Sequence, residues 1–165
     1  MIKKTGFLLL LLLVLSNCAI AEDSSIKDGT IDQRSFRLGG FSSFAEMVMV
    51  GVKTLALSAA VSPEEMDDLI GEAERIAEKD NISLYREDDL IVTDLFPADV
   101  AVGKHVLLIY KGSTLDDYMA LKERKAELVE AGKYEGEARK DIARDFGRLL
   151  SYPEDIIEGK INKSK

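Results

Sequence analysis

The chain has 165 residues, with 30 Asp and Glu against 22 Lys and Arg, and a formal net charge of −8. That acidity argues against nucleic acid and anionic lipid as partners, since both are bound through clustered Lys and Arg. One cysteine (Cys18), one histidine (His105) and no tryptophan exclude a disulfide framework, an iron–sulfur cluster, a thiolate zinc site and a zinc site built from several histidines.

Residues 1–21, MIKKTGFLLLLLLVLSNCAIA, combine Lys3 and Lys4, an apolar run over 7–15, and small residues at Ala19 and Ala21. This is the layout of a secretory signal peptide. The run falls short of the ~20 residues of a permanent span. Cleavage after Ala21 is expected, giving a periplasmic or secreted protein without cysteine or membrane span, more acidic for the loss of Lys3 and Lys4. The competing reading is a lipoprotein anchored through Cys18, although Asn17 is larger and more polar than the residue usually found before a lipidated cysteine. Residues 22–35 are polar and aperiodic and read as a flexible leader. The length that remains, 36–165, suits one domain with one core.

Within 36–61, Gly39 and Gly40 read as a turn and Ser43 with Glu46 as a capping box. The β-branched run around Met47, Val48, Val50 and Val52 then predicts a strand near 47–58. Ser62, Pro63 and Glu65 give an N-cap, a proline at the first helical position and a capping-box glutamate. Met66, Leu69, Ile70, Ala73, Ile76 and Ala77 follow at helical spacing, so a helix is expected over 63–79, stopping near Asn81. Residues 82–86 and 90–96 read as a strand pair joined by Glu87, Asp88 and Asp89, with Pro97 ending the second. His105 to Lys111, apolar on both faces, predicts a central strand covered on both sides. Helices are expected over 115–131 and 136–150, with Gly132 as a stop, and a short helix through Ile156, Ile157 and Ile161. The order predicts an α+β domain: a largely antiparallel sheet of about four strands with a crossover helix and a C-terminal helical section, the helices against one face.

No nucleophile elbow, P-loop, H-E-x-x-H or EF-hand loop is present. Alternation over 90–96 places Asp94 among Leu90, Val92 and Phe96, where an unpaired carboxylate would have a raised pKa; a sheet edge or a cap at Pro97 would remove that burial. Asp94 or Asp99 together with His105 is the most economical acid–base constellation available, against the plainer reading of a surface histidine at a strand start. Tyr85 and Tyr110 are candidate ligand-binding residues, or ordinary cross-strand partners. Glu87, Asp88 and Asp89 lack the spaced ligands of a calcium loop, and no metal site or cofactor is expected. The Lys and Arg residues of the C-terminal helices alternate with acids and form no basic stripe.

Three functions compete. The first is a non-enzymatic envelope protein that binds a small ligand or a protein partner. The second is a small hydrolase or lyase using Asp94, Asp99 and His105. The third is a structural or assembly factor acting through an apolar patch on 136–161. The absence of a catalytic motif favours the first.

Overall fold

The computed structural model describes residues 31–163; the export segment, Cys18 and the leader up to residue 30 lie outside them. The first element is a helix, α1 (Gln33–Met49), where a turn and the start of a strand were expected. Asp32 caps it, accepting from the backbone N–H groups of Arg34 and Ser35 at 3.2 Å each, so the helix begins inside the stretch read as leader. Phe41, Ala45 and Val48 fall on one stripe and are buried. This 3.6-residue periodicity outweighs the strand preference of the β-branched residues. Ser43 is therefore not a cap: its hydroxyl bonds back to the Gly39 carbonyl at 3.1 Å. At Gly51 φ reaches +80°, letting the Val52 N–H return to the Met47 carbonyl at 2.9 Å.

The strand that follows, β1, covers only Leu55–Leu57. Helix α2 (Pro63–Asp80) is the one its sequence signals describe. Ser62 and Glu65 form a reciprocal capping box, and Asn81 closes the helix in the left-handed conformation at φ 50°. Then come β2 (Ser83–Glu87), a one-turn α3 (Ala98–Ala101), β3 (Val106–Tyr110), α4 (Thr114–Glu130), α5 (Gly136–Leu149) and α6 (Glu154–Lys163).

The sheet is antiparallel and has three strands in the order β1-β3-β2. Residues 90–96 are not a strand, so the expected hairpin is absent and the count is three instead of about four. Leu90, Ile91 and Leu95 are buried, and the segment turns on itself, Thr93 and Phe96 exchanging backbone hydrogen bonds. The Tyr118 hydroxyl accepts from the Ile91 N–H, and Lys122 Nζ donates to the Asp89 carbonyl.

Central β3 is apolar on both faces, and both faces are covered, as expected for this strand and contrary to the simpler arrangement with helices against one face of the sheet. Leu107 and Ile109 pack with Phe41, Ala45 and Val48 of α1 and with Met66 and Ala73 of α2. Val106 and Leu108 pack with Tyr118 and Leu121 of α4 and with Ile142 and Phe146 of α5. Among the described residues no helix is long and apolar enough to cross a membrane.

Helix α6 closes on α5 at Gly147. A Cβ there would lie 2.7 Å from Ile157 Cγ1 and 3.0 Å from Leu95 Cδ1, whereas one at Gly71 of α2 meets nothing. Gly147→Ala is expected to destabilise the fold by about 1–3 kcal/mol through overpacking, although alanine is the better helix former. Gly71→Ala should be neutral or stabilising. Urea unfolding of the two variants separates these outcomes.

Candidate functional site

Asp94 and His105, read from the sequence as acid–base candidates, are held by different arginines. His105 forms a bridge with Val61 just before β3. Its Nδ1 accepts a hydrogen bond from Arg86 Nε at 2.8 Å. The same guanidinium pairs with Asp67 of α2 at 2.5 Å and donates to the Pro63 carbonyl. His105 thus joins the sheet to the start of α2, and its Nδ1 cannot take a substrate proton without breaking that bond.

Asp94 lies beyond β2 against α5. Arg139 grips it through both oxygens, Nη2 to Oδ1 at 2.6 Å and Nε to Oδ2 at 3.1 Å, the two-pronged geometry in which a guanidinium fits a carboxylate. The pairing raises the Arg139 pKa as well. Asp94 therefore belongs with the α4/α5 side of the sheet and His105 with the α2 side, so the structure does not form the expected constellation. Asp99 is exposed in the first turn of α3.

Tyr85 and Tyr110 share one sheet face, because Tyr110 opposes Ser83 and Tyr85 opposes Leu108. Tyr85 is 36% exposed on edge strand β2, while Tyr110 is half-buried against the α4/α5 core.

Among the described residues, the buried charge is Glu87, 1% exposed at the end of β2. Lys122 Nζ donates to both of its carboxylate oxygens at 3.1 Å and to the Asp89 carbonyl at 2.6 Å. The Asp89 N–H also donates to Glu87, at 2.9 Å. Three contacts use all three donors of the ammonium, which makes this cluster a structural lock between β2, the segment after it and α4. Burial pushes the Tyr118 phenol well above its ordinary pKa, with the Glu87 charge adding to the effect.

Two clefts flank α4. One of about 490 Å³ is lined by Thr54, Leu121, Arg124, Asp145 and Arg148. Its arginines are engaged with Asp145 and with α6: Arg124 pairs with Asp145, and Arg148 pairs with Asp145 and Glu154. The other, about 370 Å³, runs along Leu90, Val92, Lys125 and Val129. Lys125 sits over the Tyr134 ring, 5.3 Å from its centre.

The surface without an internal role is the outer face of α1. Phe36, Gly40, Ser43, Met47 and Val50 recur at alternating spacings of four and three, on the side opposite Phe41, Ala45 and Val48. Phe36 is 65% exposed, Val50 60%, Met47 40% and neighbouring Phe44 37%. No Asp, Glu, Lys or Arg falls within this stripe. Gly39 and Gly40 lie in its centre with helical backbone, and a Cβ added at either would meet nothing within 4 Å. Each costs about 1 kcal/mol of helix stability relative to alanine, and no packing among the described residues requires it. Sequence reasoning missed this face by reading the glycines as a turn. The signal available was the repeat of large apolar residues on a second helical stripe.

Comparison of the chain with protein-family models, with curated proteins and with solved structures finds no match.

Lys122→Ala leaves Glu87 buried without its cation and should cost about 3–5 kcal/mol; denaturant unfolding reads this directly. Tyr118 supplies a pH dependence. A phenol whose folded pKa lies above its unfolded value of 10.0 stabilises the fold fully below that value, and its contribution is lost as pH rises beyond it. Stability should therefore fall above pH 10, and Tyr118→Phe should make that fall shallower in unfolding curves measured across the alkaline range.

Proposed function

We propose that this chain is a small, acidic, exported binding protein, non-enzymatic, that docks a partner through the outer face of α1. The observation that carries this reading is the uncharged apolar stripe of Phe36, Phe44, Met47 and Val50 on a helix whose opposite side is already buried. A helix apolar on both sides is ordinarily covered on both sides, and exposed contiguous apolar surface marks an interaction site. Export to the cell envelope rests on the pattern of residues 1–21.

The acid–base alternative has no supporting geometry, since Asp94 and His105 are each held by an arginine in different parts of the fold. An assembly role through the C-terminal helices has little apolar surface to use: among the described residues of 136–161 the large exposed apolar side chain is Ile156.

The test is a photo-crosslinking amino acid placed at Phe36 in the full chain, in the cells that produce it, with Glu74 of α2 as the exposed control. The expected result is a discrete adduct from position 36 and none from position 74. Equal, diffuse labelling at both positions would contradict an α1 interface.

A further inference from the structure

We infer that the occupant of the α1 face is a second copy of this chain, packed through the same face in an antiparallel, two-fold arrangement. This rests on the docking reading above and adds the identity of the partner. A two-fold contact must be self-complementary: whatever stands at one end of the stripe must fit what stands at the other. The α1 stripe has that property. Phe36 stands near its start, Met47 and Val50 near its end, and the flat surface of Gly39 and Gly40 between them. With the axis passing near Ser43, Met47 of each copy falls over Gly39 and Gly40 of the other, and Phe36 falls beside Val50.

The polar content of the face suits a dry contact. Ser43, at the axis, already spends its hydroxyl on the Gly39 carbonyl, so closing the interface strands no donor. The glycines admit close backbone approach, which accounts for their presence where the monomer leaves open space. Exposed Val52, just past the helix, extends the patch, and a contact made by one helix face lies at the small end of specific interfaces. The association is therefore a reversible one, governed by concentration.

Sedimentation equilibrium of the full chain carrying Cys18→Ser, from roughly 1 µM to 1 mM, should show monomer converting to dimer. Gly40→Ile fills the central hollow and should weaken the dimer at least ten-fold. Gly40→Ala should weaken it too while raising the melting temperature of the monomer, a combination that loss of structure cannot produce. Oxidation reads the orientation. Ser43→Cys should give a disulfide-linked dimer, and Phe36→Cys should not, whereas a mixture of Phe36→Cys and Val50→Cys should cross-link. A monomer at every concentration, or a Gly40→Ile variant that dimerises like the parent, overturns the inference. In that event an adduct from position 36 at a mass other than two chains keeps the docking reading and assigns the face to a different partner. Loss of that adduct as well removes both.

Discussion

The whole arrangement depends on β3 being apolar on both faces. A strand with Val106 and Leu108 on one side and Leu107 and Ile109 on the other must be covered twice, or half of its side chains face water. The chain meets this with two helical layers. One is α1 with α2, the other α4 with α5, and α6 closes a smaller cluster around Ile157 and Ile161. Strands β1 and β2 pair along the two edges of β3. Helix α1 is thereby committed to the core through Phe41, Ala45 and Val48, and its second apolar face has no core left to join.

The titratable groups are used for construction. Arg86 holds His105 and Asp67, Arg139 holds Asp94, Lys122 holds Glu87, and Arg144 holds Glu137, Asp141 and Glu158. Most of these pairs are partly exposed and add little stability singly. Glu87 differs because it is buried and depends on Lys122 for compensation. Carboxylates whose pKa is depressed by such pairing, as at Glu158 beside Arg144 and Glu65 beside Arg37, favour the fold above the ordinary carboxylate pKa, and that preference is lost as pH falls. Asp94 and His105, the groups that looked most suited to chemistry, are among those already engaged in the fold.

What could be read from the sequence was what local chemistry determines. Ser62, Pro63 and Glu65 specified the start of α2 and Asn81 its end. Gly132, and the break at Tyr152 and Pro153, bounded the C-terminal helices, and β3 was recognisable as central from its two apolar faces. The features that escaped depend on distant partners. Residues 90–96 alternate like a strand, but the Ile91 N–H is met by Tyr118 from α4, and Thr93 and Phe96 bond to each other across a turn. Asp94 looked like an unpaired carboxylate because Arg139 stands 45 residues away. Helix α1 was misread for the reason that makes it interesting: apolar residues on both sides blur the 3.6-residue period, and two glycines at its centre imitate a turn.

The account stands on the claim that α1's outer face is covered when the protein is at work. Hydroxyl-radical footprinting of the full chain, compared between producing cells and dilute purified protein, tests this residue by residue. Buried Met66 should be unreactive in both settings and exposed Tyr85 reactive in both. The account predicts that Phe36 and Met47 react in dilute solution and are protected in cells. Equal reactivity of Phe36 and Met47 in the two settings would contradict it.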